Sequence, residues 1–282
     1  MSLVPTRELV EKAAAAGRAV AAFNVITLEH AEAIAAGAEA AERSVILQIS
    51  ENAVRFHGGR VGPIARAAAE VGTACAVDVA LHLDHVTDIR LLHTAADAGF
   101  SSAMFDAGAL PYAENLAATR AAVRWAHGAG LWLEAELGYV GGKPDAPASA
   151  HAAGVRTDPR EAARYVADTG VDALAVAVGS SHAMTERSAS LDHALIERLR
   201  DAVRVPLVLH GSSGVGDDEL RRAVRAGIVK VNVGTALNIA FTRAVRETLT
   251  ARPDLTDPRP YVGRGRETMA ETVRTLLGVV SG

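Results

Sequence analysis

Cysteine, long apolar runs and surplus positive charge are all scarce in this sequence. Cys75 is its only cysteine, which excludes an intrachain disulfide and suits a reducing compartment. No apolar run approaches the length of a membrane span, and the N-terminal stretch lacks the apolar core of a signal peptide. The formal net charge of -4 provides no cationic surface for nucleic acid or acidic lipid. These absences favour a cytoplasmic protein that binds small molecules, not nucleic acid or membranes.

Short apolar runs alternate with helical patterns along the whole chain. Strands are predicted at 20–25, 45–50, 77–83, 101–105, 131–137, 173–178, 207–209 and 228–231. Helices are predicted at 1–17 (capped by Thr6), 28–42, 62–71, 87–98, 112–128, 159–169, 192–203, 217–226, 236–250 and about 263–279. Apolar strands separated by helices indicate a parallel sheet that is buried on both faces. Eight such units predict an α/β fold, one (β/α)8 TIM barrel over residues 1–282; a doubly wound open sheet is the alternative.

Polar residues occur at the ends of most predicted strands, where a TIM barrel carries its active site. They are Asn24, Ser50, Asp84, His85, Asp106, His182, His210 and Asn232, with Glu134 and Glu136 inside the fifth strand. His85, His182 and His210 follow strands three, six and seven, so we expect them to converge at the barrel mouth. Three neutral imidazoles leave an open position on zinc, as catalytic zinc sites do. The pattern therefore predicts one catalytic Zn²⁺.

Two glycine-containing turns follow strands seven and eight, which is the usual phosphate site of this barrel. They read His210-Gly-Ser-Ser-Gly214 and Asn232-Val-Gly-Thr235, and the second leads directly into a helix. Glycines let the backbone approach an anion closely, and the first amides of a helix donate hydrogen bonds to it. The pair of turns predicts a phosphorylated ligand.

Six motifs follow one another along the chain. They are Ala22-Phe-Asn24, Leu81-His-Leu-Asp-His85, Glu134-Ala-Glu-Leu-Gly138, Ala175-Val-Ala-Val-Gly179 with His182, Val208-Leu-His-Gly211 and Lys230-Val-Asn232. In this order they resemble the class II, metal-dependent fructose- and tagatose-bisphosphate aldolases over essentially the whole chain. The resemblance implies reversible cleavage of a ketose 1,6-bisphosphate to dihydroxyacetone phosphate and glyceraldehyde 3-phosphate. It also implies a homodimer or a homotetramer.

The resemblance further implies roles for individual residues. His85, His182 and His210 would bind zinc, which acts as a Lewis acid. Asp84 would exchange the proton of the substrate's C4 hydroxyl, and Asn232 would contact the ene-diolate. The positions that match substrate- and phosphate-binding residues are Asn24, Ser50, Gly179, Gly211, Ser213, Gly234, Thr235 and Arg266. A monovalent cation near the first phosphate is implied as well.

The sequence departs from the family pattern at three places. Residues 138–157 are predicted to form an active-site lid (a surface insertion is the alternative), but Pro144 stands where the family has a proton-transferring Glu. Asp145 is the nearest substitute. Ala183 replaces a Gly after the second zinc histidine, and Gly234 replaces the Asp of fructose-type members. Because Arg266 conversely matches a fructose-type residue, the choice between fructose and tagatose stays open.

Three other functions fit parts of the pattern. An aldolase for another phosphorylated keto-sugar, such as a deoxy-keto-gluconate phosphate, would keep the zinc and the first phosphate site. A non-catalytic sugar-phosphate-binding subunit would explain the altered lid. A Schiff-base aldolase would need a reactive lysine, for which only Lys12, Lys143 and Lys230 are available. Lys230 is instead predicted to pair with an inward carboxylate such as Glu134.

Overall fold

A closed parallel barrel forms the centre of the molecule in a computed structural model, which describes residues 3–138, 156–181 and 184–281. Its strands are β1 (Val20–Asn24), β2 (Val45–Ser50), β3 (Val79–Val86), β4 (Ser102–Phe105), β5 (Trp132–Leu137), β6 (Ala173–Val176), β7 (Leu207–Leu209) and β8 (Ile228–Val233). Each strand pairs with the next along the chain, and β8 pairs with β1. The TIM barrel predicted from the sequence is therefore confirmed, and the open sheet is excluded.

Helices surround the barrel, and one closes its lower end. They are α1 (Thr6–Ala15), α2 (Leu28–Ala41), α3 (Glu51–Phe56), α4 (Val61–Ala74), α5 (Ile89–Leu92), α6 (Tyr112–Gly128), α7 (Pro159–Thr169), α8 (His193–Ala202), α9 (Asp217–Ala226), α10 (Thr235–Ala251) and α11 (Pro258–Val280). The predictions at 112–128, 159–169 and 217–226 are confirmed to the residue. Within the three described ranges, no helix is both long and apolar enough to cross a bilayer.

Three local predictions are wrong. The helix predicted over 87–98 ends at Leu92, because the backbone changes to i→i−3 bonds and the hydroxyl of Thr94 donates to the Leu91 carbonyl at 2.7 Å. The structure adds α3, which Ser50 caps by accepting a hydrogen bond from the Ala53 amide at 3.2 Å. Thr6 does not cap α1: Pro5 is the N-cap residue.

The C-terminal helix is longer than predicted. It begins at Pro258, five residues before the predicted start, and ends at Val280. Asp257 caps this end by accepting a hydrogen bond from the Arg259 amide at 3.0 Å, and proline is favoured in a first helical turn. Gly263 and Gly265 weaken the helical pattern in the sequence, but both lie inside α11.

The barrel interior is apolar at the N-terminal ends of the strands and polar at their C-terminal ends. Leu9 and Val10 of α1 pack against the lower layer, in a buried cluster with Val20, Ala22, Ile46, Ala80, Trp132, Ala173, Ala175 and Val208. Because alternate strand residues share a face, the next inward layers hold polar side chains, among them Gln48, His82, Glu134 and Lys230. The fold therefore gathers polar groups at the barrel mouth, above an apolar floor.

Candidate active site

Strand β3 contains an irregularity that places two consecutive polar side chains at the mouth. The predicted strand ended at residue 83, but β3 extends to Val86, and its register with β4 shifts between Leu83 and Val86. His85 in this bulge has a positive φ of 48°, which non-glycine residues seldom adopt. Neighbouring residues of a regular strand face opposite sides, so the bulge allows Asp84 and His85 to approach the same point. Such strain is commonly found at functional sites.

Asp84, His85 and His210 form a compact cluster in which one ligand atom of each lies within 4.8 Å of the others. His210 Nε2 lies 2.8 Å from Glu134 Oε1, and Nδ1 lies 3.3 Å from Glu136 Oε2. His85 Nδ1 lies 3.1 Å from Asp106 Oδ2. A metal-bound histidine commonly turns its second ring nitrogen to a carboxylate, as His85 does towards Asp106. His210 contacts carboxylates through both nitrogens, so one of these contacts has to yield when a metal binds.

The electrostatics of this cluster favour a bound cation. The carboxylates of Asp84, Glu134 and Glu136 are all buried here beside one buried ammonium, that of Lys230. Although burial alone would lower it, the contacts with Glu134 and Glu136 raise the pKa of His210 to about 9. The pKa of His85 is likewise raised, because the charge of Asp84 outweighs the effect of burial. A divalent ion such as zinc would replace the protons that these carboxylates hold on the two histidines, because imidazole binds a metal in its neutral form.

A chain of hydrogen bonds runs from the lower end of the barrel towards Asp84. The Ser102 hydroxyl donates to Thr6 Oγ1 at 2.6 Å, so its oxygen accepts from His82 Nδ1 at 2.7 Å. Burial, together with the charge of Lys230, lowers the pKa of His82 to about 3, so the ring is neutral. Its Nε2 therefore carries a lone pair and lies 3.8 Å from Asp84 Oδ1. His82 is thus a hydrogen-bonded barrel residue.

A cavity of about 140 Å³ opens beside the cluster. It is lined by Asn24, Gln48, Asp84, His85, Ser181, Gly211, Ser212, Ser213, Asn232, Gly234, Thr235 and Asn238. Both predicted phosphate turns thus border one space. A larger cavity of about 340 Å³ lies behind Ser212 and Ser213, against α10 and α11, but none of the clustered histidines or carboxylates lines it. Chemistry rather than size therefore marks the smaller cavity as the candidate site.

Some predicted site residues do not line this cavity. Ser50 caps α3. Gly179 has a φ of 124°, and a side chain there would collide with the Ser190 carbonyl. Arg266 lies on α11 and pairs with Glu32 of α2 at 2.6 Å. His182 and Asp145 are outside the described residues, as are Pro144, Ala183 and most of the predicted lid.

Four cavity-lining residues were not among the predicted site residues: Gln48, Ser181, Ser212 and Asn238. Gln48 is the one polar residue in the interior of β2, and its amide donates to Asn24 Oδ1. Asn238 lies in the first turn of α10, and Ser181 precedes His182. The sequence signal for Gln48 was a polar side chain within an otherwise apolar strand. Gln48 also lies on the same face of β2 as Ser50 at the end of the strand. No comparable signal distinguished Asn238 from an ordinary helix residue.

Gly211 is expected to be intolerant of any side chain. Its φ is 66°, and an added Cβ would lie 2.6 Å from the backbone of Ser181 across the cavity. We expect Gly211→Ala to lower the free energy of unfolding by about 1–3 kcal/mol. Because the turn would shift, KM should rise roughly tenfold, equivalent to about 1.4 kcal/mol.

Gly216→Ala is the matched control, since Gly216 has a φ of -68° and open space around its Cβ position. Denaturant unfolding and steady-state kinetics of both variants test the expectation. Equal behaviour of the two variants would show that the turn adapts to a side chain.

The comparisons with known proteins agree with this geometry. The family model described as fructose-bisphosphate aldolase class-II matches residues 4–281. A fructose-bisphosphate aldolase of Geobacillus stearothermophilus is 40% identical over 275 residues, which are 97% of this chain and 95% of that protein. The crystal structure of the YdjI aldolase from Escherichia coli K12 has a TM-score of 0.84 at 31% identity, and the match covers 99% of this chain and 97% of that one. A fructose-bisphosphate aldolase structure from Campylobacter jejuni has the same fold, with a TM-score of 0.83 at 22% identity, covering 99% of this chain and 95% of that one. The chain therefore belongs to the class II fructose-bisphosphate aldolase family.

Proposed function

We propose that this aldolase uses zinc to cleave a ketose 1,6-bisphosphate, fructose or tagatose, into dihydroxyacetone phosphate and glyceraldehyde 3-phosphate. The observation that carries the proposal is the cluster of Asp84, His85 and His210 beside a cavity that both glycine turns border. These side chains and turns would supply an acid/base group, metal ligands and phosphate donors to one substrate. The Geobacillus stearothermophilus relative, which is 40% identical over 97% of this chain, is named fructose-bisphosphate aldolase.

The dihydroxyacetone phosphate end fits the turns after β7 and β8. Gly211 and Gly234 both line the cavity without side chains, and an added Cβ at Gly234 would lie 2.9 Å from Asn24 Nδ2. The Ser213 hydroxyl accepts a hydrogen bond from the Ala236 amide at 3.1 Å and so connects the two turns. Thr235 begins α10, whose positive N-terminal end favours an anion. A monovalent cation at this phosphate stays a prediction.

His85 and His210, with His182 from outside the described residues, would hold the zinc. When bound, zinc supplies a Lewis acid that polarises the substrate's ketone and stabilises the charge that develops on its oxygen. Asp84 would take the proton from the C4 hydroxyl as the carbon–carbon bond breaks, and would return it in the reverse direction. Asn232 donates to Asp84 Oδ1 at 3.4 Å and also lines the cavity, where it would contact the ene-diolate.

The surroundings of the lysines disfavour a Schiff-base mechanism. Lys12 lies on α1, at the lower end of the barrel, and its Nζ is 2.7 Å from Glu8 Oε1. Lys230 is buried, and its Nζ is 2.9 Å from Glu134 Oε2, as predicted from the sequence. A lysine that forms an imine must instead present a neutral amine to the substrate. Lys143 lies outside the described residues.

The deciding experiment measures cleavage of fructose 1,6-bisphosphate and of tagatose 1,6-bisphosphate by the purified protein. We expect one of the two to be cleaved, the activity to disappear with EDTA, and zinc to restore it. The ratio of kcat/KM between the two sugars identifies the substrate. Activity that survives complete removal of metal would refute the zinc mechanism. A zinc-loaded protein that cleaves neither sugar would favour another phosphorylated keto-sugar, or a binding role, instead.

A further inference from the structure

Lys230 is fully buried in the middle of β8, and no step of the proposed reaction uses it. A buried ammonium is costly unless each of its hydrogens meets an acceptor. Its Nζ donates to Glu134 Oε2 at 2.9 Å and to Asn232 Oδ1 at 2.7 Å. One contact is an ion pair, and the other joins Lys230 to a residue of the candidate site.

We propose that Lys230 is a positioning residue that fixes which end of the Asn232 amide faces the substrate. Lysine only donates hydrogen bonds, so it must hold the amide oxygen of Asn232. The NH2 group then points away from Lys230, towards Asp84, whose Oδ1 lies 3.4 Å from Nδ2. The inference rests on the proposed function, in which Asn232 contacts the reacting oxygens.

A reversed amide would be strongly disfavoured. It would place the NH2 group of Asn232 against the Lys230 ammonium and the amide oxygen against the Asp84 carboxylate. Two favourable contacts would become two repulsive ones, in a region where all three residues are buried and water screens little. With the ammonium present, a donor is therefore always presented to the substrate, and no reorientation is needed during the reaction.

The rival explanation is that Lys230 merely neutralises Glu134. The opposite oxygen of that carboxylate, Oε1, lies 2.8 Å from His210 Nε2, so losing the ammonium would also disturb a proposed zinc ligand. The two explanations predict different dependence on Asn232. If Lys230 only neutralises Glu134, its loss lowers kcat whether or not Asn232 is present. If Lys230 positions Asn232, its loss lowers kcat only when Asn232 is present.

Kinetic coupling between the two residues separates these explanations. Lys230→Met should lower kcat by about 100-fold, the typical effect of losing one oriented donor, with zinc per subunit measured for each variant. Asn232→Ala should lower kcat by a similar factor, and K230M/N232A should be no slower than N232A alone. If the two losses multiply, or if K230M turns over at the wild-type rate, the positioning role is refuted.

A second pair of variants guards against misfolding. E134Q/K230M removes both partners of the Glu134–Lys230 ion pair and retains an amide oxygen for His210 Nε2. E134Q is its reference, in which the one amide oxygen at position 134 serves either His210 or Lys230. The kcat of E134Q/K230M should be about 100-fold lower than that of E134Q. The kcat of E134Q/K230M/N232A should equal that of E134Q/N232A. Equal kcat values for E134Q and E134Q/K230M would overturn the proposal.

A readout that needs no substrate keeps this inference separate from the proposed function. The side-chain NH2 resonances of Asn232, assigned by their absence in N232A, should shift between E134Q and E134Q/K230M. Unchanged resonances would contradict the positioning role, even if the wild-type enzyme cleaves its sugar. A shift in a protein that cleaves neither ketose bisphosphate would support the positioning and refute only the proposed substrate.

Discussion

Replacing Asp84 with asparagine is expected to lower kcat by about 10³-fold and to leave the zinc content unchanged. Asp84 is buried at the mouth of the barrel and lies beside the donor group of Asn232. Although burial works to raise it, the neighbouring histidines, His85 first, lower the pKa of Asp84, so the group is an ionised base at neutral pH. An amide of the same shape cannot accept the proton. Steady-state kinetics, with zinc measured in the same sample, check the expectation.

Asp97→Asn is the control for this variant, because Asp97 is an exposed carboxylate beyond α5 and outside the cavity. It should turn over like the wild-type enzyme. A D84N variant with wild-type kcat would remove Asp84 from the proton transfer. Loss of zinc together with activity would instead make Asp84 a metal ligand, which its place in the cluster with His85 and His210 also allows.

His210→Ala should abolish both zinc binding and turnover, with kcat reduced by at least about 10³-fold. His210 is fully buried and contacts Glu134 and Glu136 through its two ring nitrogens. Its removal leaves those carboxylates without this partner, so the free energy of unfolding should also fall by about 3–5 kcal/mol. Metal analysis, kinetics and denaturant unfolding of one preparation measure all three effects.

The matched control is His193→Ala. His193 also pairs with a carboxylate, Glu219 at 3.0 Å, but it lies at the start of α8, away from the cavity. This variant should retain zinc and turnover. An H210A variant that binds zinc as tightly as the wild type would refute the metal site proposed for His85, His182 and His210.

The fold could be predicted from the sequence because barrel strands are short, apolar and separated by helices. Their boundaries failed where a local contact outweighed the pattern. The Thr94 hydroxyl shortened α5, and the bulge at His85 extended β3 beyond Leu83. Neither effect has a periodic signal, since each depends on a single side chain or on one residue with a positive φ.

The candidate site was predictable where glycine or histidine stands at a strand end, as at Gly211 and His210. Gln48 and Asn238 were missed because their contribution depends on the direction of one side chain, which the register of the closed barrel decides. Arg266 matches a family position and pairs with Glu32 across α11 and α2, so its contact with a substrate stays a prediction. A sequence pattern identifies residue types, and only the packed barrel determines which of them share a cavity.

Helix α1 has a consequence for the order in which this protein folds. Its Leu9 and Val10 pack on a floor assembled from strands as distant along the chain as β1 and β7, so the complete floor requires all of these strands. Because α1 precedes all eight strands in the chain, it is synthesised before the floor on which it packs, and we expect it to dock late. Throughout synthesis its apolar face remains uncovered, so we expect nascent chains that stop before β8 to expose this segment to chaperones and proteases.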